Sequence, residues 1–159
     1  MAKSVKTIPF GPNSGKRAGN GVTLRRVHPD DLEFLFEVYA GTREEELASL
    51  DWKPEDREAF LKMQFEAQHG YYEENFPTAD FLVIEKTGAR VGRLYLDRRM
   101  DEIRVIDIAL LPRHRGQGIG AGLIRDILGQ GEQEELPVRI HVEKNNRALH
   151  LYNRLGFKT

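Results

Sequence analysis

Apolar positions along this chain switch between two rhythms, and the switches predict its elements. "VTLRRV", after Gly21, alternates with period two and predicts a short strand. "HPDDLEFLFEVYA" then puts Leu32, Leu35, Phe36 and Tyr39 on one helical face, with Asp30 or Asp31 near its cap. "GTREEELASLDW" reads as a connection to a longer helix, "PEDREAFLKMQFEAQHGYYEENF", opened by Pro54 and acidic residues and ended by Pro77. "DFLVIEK" and "RVGRLYLD" flank "TGA" and predict a hairpin. A polar turn, "RRMDE", leads to "IRVIDIALL", which is long and β-branched enough for a buried central strand. A glycine-rich loop, a helix "GLIRDILGQ", a strand "PVRIHV" and a helix "NRALHLYNRL" follow, and "GFKT" begins a further strand. The order β-α-α-β-β-β-α-β-α-β predicts one mixed α+β domain over residues 21–159. Residues 1–20, rich in Gly, Pro, Ser and Lys, read as a mobile leader.

Composition narrows the function. Apolar residues are 40% and charged residues 31%, enough for a core and against wholesale disorder. A net charge of −1 argues against nucleic acid or an anionic membrane as the main partner. The absence of cysteine removes thiol nucleophiles, disulfides and cysteine metal sites, fits a reducing cytosol, and leads us to expect a cytoplasmic protein without a metal. No apolar run approaches the ~20 residues of a membrane span.

The strongest local signal is "RHRGQGIGAGL", in which Gly116, Gly118, Gly120 and Gly122 alternate just where a helix begins. A strand that turns through such a loop into a helix presents unpaired N–H groups at the positive end of the helix dipole, a site for phosphate. Glycines allow positive φ and close approach to the oxygens, and Arg115 could fork onto a phosphate. "GQGIGA" also satisfies a dinucleotide pattern, but that loop belongs in a first βαβ unit with more parallel strands behind it, and this chain has too little left.

These residues carry a family resemblance. "ALLPRHRGQGIGAGL" resembles the signature loop of the GNAT superfamily of acyl-CoA-dependent N-acyltransferases, with Arg115, Gly118 and Gly120 on its [QR]-x-x-G-x-[GA] pattern. "NNRALHLYNRLGF" is similar to that family's Asn…Ala-x-x-Leu-Tyr-x-x-x-Gly-Phe segment. The resemblance implies a central mixed sheet flanked by helices and acetyl-CoA as acyl donor. It implies that Ile108, Ala109 and Leu110 bind the pantetheine arm like an added strand. Arg115, Gly116, Gln117, Gly118, Ile119, Gly120 and Ala121 would sit at the pyrophosphate, and Asn145 or Asn146 would contact the coenzyme. Tyr152 falls where similar enzymes keep the tyrosine that protonates the departing thiolate.

The base is open at this point. The positions where many relatives place a glutamate correspond to Ile106 and Ile140, so Asp107, His141 and a water relay are the candidates. For the acceptor, Gln64, Gln68 and Tyr72 recur every four residues on one helix stripe, and Arg43 and Trp52 stand out before them. Arg43 could bind a substrate carboxylate or pair with Glu46 or Glu45. The expectation is acetyl transfer to a primary amine of a small molecule, peptide or protein by direct transfer, the rival being a non-catalytic acyl-CoA-binding domain. Relatives carry a further strand after "GF", so a chain ending at Thr159 would leave an edge to be paired, for example in a homodimer.

Overall fold

A computed structural model describes residues 21–142 and 148–158. The leader, Asn145, Asn146 and Thr159 lie outside these described residues. The strands are β1 (Val22–Arg26), β2 (Asp80–Lys86), β3 (Ala89–Arg98), β4 (Ile103–Leu110) and β5 (Val138–Ile140). The helices are α1 (Leu32–Ala48), α2 (Pro54–Asn75), α3 (Ile119–Glu134) and α4 (Leu149–Arg154), with 3-10 turns at Pro29–Asp31 and Pro112–His114.

The strands form one sheet in chain order, antiparallel from β1 to β4, with β5 added parallel to β4 after the α3 crossover. Side-chain alternation divides the core between the two faces of the sheet. Leu82, Ile84, Leu94, Leu96 and Val105 meet Ile119, Leu123, Ile124 and Ile127 of α3 and Tyr152 of α4. On the other face Val83 meets Phe34, Leu35, Val38 and Tyr39 of α1 and Leu61 and Phe65 of α2. The mixed α+β architecture is the one the hydrophobic pattern predicts.

Several boundaries differ from the pattern. α1 runs on through "GTREEELA", because Gly41 is there for close approach and not to stop the helix: a Cβ at Gly41 would come within 2.9 Å of Pro112. α3 starts at Ile119, so Gly120 and Gly122 lie inside its first turn, and it extends to Glu134. β5 is three residues long, leaving His141 and Val142 outside it.

The expected strand at "GFKT" is absent among the described residues, since Phe157 and Lys158 are in no regular element. The local reason is a helix stop. Gly156 has φ +102°, the Phe157 N–H donates to Tyr152 O (3.1 Å), and the Gly156 N–H donates to Asn153 O (3.1 Å). This is the Schellman arrangement, in which a glycine turns the chain and a following apolar residue folds back on the helix.

Candidate active site

The site forms where β4 loses its neighbour. β5 pairs with β4 only at Ile103, Arg104 and Val105, while β4 continues to Leu110 beside β3. The register between β3 and β4 passes from Tyr95↔Asp107 to Leu96↔Val105, so Ile106 is an extra residue, a β-bulge just past the last β4–β5 pair. Beyond it, Asp107, Ile108, Ala109 and Leu110 present an edge that β5 does not cover. An extended chain of alternating amides can add to such an edge.

The glycine loop lies at the end of this edge. Gly116 and Gly118 have φ +75° and +84°, the left-handed region that glycine enters without strain. Gly118 caps α3, whose first internal bond runs from the Gly122 N–H to Gly118 O (3.0 Å). The N–H groups of Ile119, Gly120 and Ala121 precede that bond and point out of the helix start. No acidic side chain stands in the first turn of α3 to satisfy its dipole. Gly120 has an ordinary helical backbone, and a Cβ built on it would meet nothing within 4 Å. Neither packing nor φ calls for glycine there, so what it leaves is room in front of the N–H groups. These features fit a bound pyrophosphate and pantetheine arm. Gln117 is exposed, with its side-chain amide on Arg113 O (3.4 Å).

Arg115 stands at the base of the glycine loop. Its Nε donates to Leu110 O and its Nη2 to Gly41 O, both at 3.2 Å, which fastens the loop to the end of β4 and to α1.

Tyr152 sits on α4, only 6% exposed, with Phe157 edge-on to its ring. Burial, with a smaller contribution from the nearby Asp107 carboxylate, pushes its phenol up to about 12. It therefore holds its proton at neutral pH. Asp107 is half-buried on the uncovered stretch of β4 and is ion-paired with Arg93 of β3. Arg93 is 2% exposed and its Nη2 also donates to Gln68 Oε1 of α2 (3.0 Å). Its guanidinium carbon stands 5.1 Å from the centre of the Tyr95 ring, and Tyr72 of α2 meets that ring edge-on at 5.6 Å. Burial, followed by the Asp107 charge, raises Tyr72 above the ordinary phenol range.

The fold therefore gathers Gln68, Tyr72 and Asp107 around one buried cation. Gln64 is half-buried one turn earlier on the same stripe. Arg43 and Trp52 belong to another cluster. Arg43 pairs with Glu46 (Nε–Oε1 and Nη2–Oε2, each 3.0 Å) and donates to the Tyr39 hydroxyl (2.7 Å), while Trp52 packs edge-on against Phe60 at 5.1 Å. His141 is exposed beyond the end of β5, with no hydrogen bond or ion pair among the described residues. Arg93 was missed from sequence. Its signal was a charged residue in the middle of the otherwise apolar run "VGRLYL".

Among the described residues no group of histidine, cysteine, aspartate or glutamate could hold a metal ion, and no helix is long and apolar enough to cross a membrane.

Comparisons with known proteins agree with this architecture. A Bacillus subtilis (strain 168) protein, whose name makes it a candidate alanine N-acetyltransferase of ribosomal protein bS18, is 32% identical over 85 residues. That match spans 52% of this chain and 56% of the relative's length. The PaiA N-acetyltransferase of Thermoplasma acidophilum, solved with coenzyme A, shares the fold with a TM-score of 0.63 at 18% identity, over 86% of this chain and 89% of its own. A transcriptional regulator from Bacillus halodurans C-125 does so with a TM-score of 0.59 at 20% identity, over 87% of this chain and 93% of its own. The family model described as acetyltransferase (GNAT) family matches residues 43–157, most of the chain. The chain belongs to the acetyltransferase (GNAT) family.

Proposed function

We propose that this protein transfers an acetyl group from acetyl-CoA to a primary amine within a ternary complex. The observation that carries the reading is the end of β5 at Ile140, beyond which β4 runs on to Leu110 with no strand on that edge among the described residues, near the open start of α3 and the buried Tyr152 phenol. When bound, the coenzyme supplies an acyl carbon already activated as a thioester. Backbone groups of Ile108, Ala109 and Leu110 hold its arm, and the N–H groups from Gly116 to Ala121 hold its pyrophosphate. Asn145 or Asn146 is retained as a coenzyme contact from the sequence resemblance. Arg115 keeps the loop in place.

Tyr152 gives its proton to the leaving sulfur, as a buried phenol can. The bond from amine nitrogen to carbonyl carbon forms as the carbon–sulfur bond breaks, and the amine's surplus protons pass to Asp107 or to water. Asp107 is favoured over His141 because its charge already reaches Tyr152. No cysteine is present to carry the acyl group, which supports direct transfer.

For the acceptor, residues 28–75 hold fourteen acidic and four basic side chains, although the whole chain is nearly neutral. That segment includes α2, whose Gln68 and Tyr72 line the site. A cationic acceptor, such as the free N-terminus of a basic peptide, suits this field. The name of the Bacillus subtilis relative gives an alanine of a ribosomal protein as that relative's acceptor, which supports a polypeptide amine here.

The test is thiol release from acetyl-CoA with a panel comprising a basic peptide with N-terminal alanine, a neutral one, a lysine-only peptide and spermidine. Transfer to the basic peptide, with a KM that rises with salt, is expected. Coenzyme binding without transfer to any amine would contradict the enzymatic reading.

A further inference from the structure

Arg93 is a buried cation that the chemistry above does not use. A buried ion pair is weak support for stability, because desolvating two charges offsets most of their attraction, and an apolar pair of similar volume often serves as well. This one joins β3 to β4 just beyond the last β4–β5 pair, and three of its features fix its place. Its Nη2 lies between Asp107 Oδ2 and Gln68 Oε1. Its Nε is buried without a hydrogen-bond partner among the described residues. Its guanidinium rests against the Tyr95 ring, and Tyr95 is the cross-strand partner of Asp107. The guanidinium is thus fixed from three sides: α2 through Gln68, β3 through Tyr95 and β4 through Asp107.

We propose that Arg93 is a positioning residue for the acceptor amine: it clamps one carboxylate oxygen of Asp107, so that the other, Oδ1, faces the nitrogen that attacks. Among the described residues Oδ1 has no hydrogen-bond donor of its own. A carboxylate on a free rotor spreads its orientation over a wide arc, whereas one held at Oδ2 presents Oδ1 in a single direction. Alignment of that kind matters because a misplacement of about 1 Å at a reacting group can cost on the order of 10²-fold in rate. Gln68 extends the device to α2: the helix that carries the acidic surface also sets the guanidinium that sets the carboxylate.

This inference rests on the acetyl-transfer reading, and the test separates the two. Wild type, Arg93→Met, Arg93→Lys, Asp107→Asn and the Arg93→Met/Asp107→Asn double variant are compared for kcat and KM with the alanine-initiated basic peptide, lysine-only peptide and spermidine, and for coenzyme A affinity by calorimetry. Arg93→Met should lower kcat/KM for the amine by about 10–100-fold while coenzyme A affinity stays within about threefold. Because Arg93 acts through Asp107, the double variant should be no worse than Asp107→Asn alone. Arg93→Lys, which keeps the charge but loses the fork, should recover part of the loss. Should Arg93→Met fail to fold, the same cycle is run with Arg93→Lys. Losses that multiply in the double variant, or an equal fall in coenzyme affinity, would overturn the positioning role while leaving acetyl transfer intact. Failure of the wild type to acetylate any of the three amines would overturn both.

Discussion

Phe157 closes the helix that carries Tyr152. Its N–H donates to the Tyr152 carbonyl at 3.1 Å, and the two rings meet edge to face with centroids 6.0 Å apart. The tyrosine and the Gly-Phe pair that follows it are therefore one structural unit. The chain turns at Gly156 so that Phe157 can pack on the phenol's ring and hold it at the end of α4.

That unit predicts a coupling between backbone and chemistry. Gly156→Ala places a Cβ at φ +102° and should cost about 1 kcal/mol or more of stability. Because the strain falls beside Tyr152, kcat should drop by more than coenzyme affinity does. Thermal melts, calorimetry and steady-state kinetics on one preparation check the ordering.

Gly120 predicts a trade between stability and binding. It sits in the first turn of α3 with ordinary helical φ and open space around it, so Gly120→Ala should stabilise the fold by roughly 0.5–1 kcal/mol. The same methyl group occupies the room in front of the helix N–H groups, so coenzyme A should bind more weakly. A stabilised variant with unchanged coenzyme affinity would remove the loop from the phosphate site.

Asp31 predicts the acid limit of the fold. Arg25 holds its carboxylate through both Nη atoms (2.9 and 3.0 Å), the His28 backbone N–H donates to it (2.7 Å), and Arg90 adds a second cation (3.1 Å). The Arg25 bonds, against the opposing effect of burial, keep it well below its ordinary value of 3.8. A carboxyl depressed in the folded state adds stability that is fully present above the unfolded value. That contribution is lost as pH falls below about 4. Chemical denaturation should therefore show stability dropping from about pH 4 downward, and Asp31→Asn should flatten that slope while lowering stability at neutral pH by about 1–3 kcal/mol.

What the sequence disclosed follows from the range of each signal. The hairpin between β2 and β3, the long α2 between Pro54 and Pro77, and the glycine loop before α3 depend on neighbours within a few residues, so periodicity and turn chemistry reached them. α1 runs on through the segment that reads as a connection, and the close approach of Gly41 to Pro112 exists only in the folded chain. The Arg93–Asp107 pair was out of reach because it depends on the β3–β4 register, which the bulge at Ile106 shifts by one residue. Arg115 is expected at the phosphate because a guanidinium beside a glycine loop has that chemistry. Its carbonyl partners, Leu110 and Gly41, become visible only when α1 and β4 converge.

Tyr152 decides the proposed reaction, in which a buried phenol completes acyl transfer beside the stretch of β4 that runs beyond β5. With the hydroxyl pushed up to about 12 by burial, the tyrosine keeps its proton through the neutral range. The most direct measurement is kcat of Tyr152→Phe against wild type at neutral pH, with acetyl-CoA and the amine that wild type turns over fastest, beside coenzyme A calorimetry and thermal melts. In Tyr152→Phe, kcat should fall by about 10²–10⁴ while coenzyme affinity changes by no more than a few fold. A folded Phe variant that turns over at the wild-type rate would contradict it.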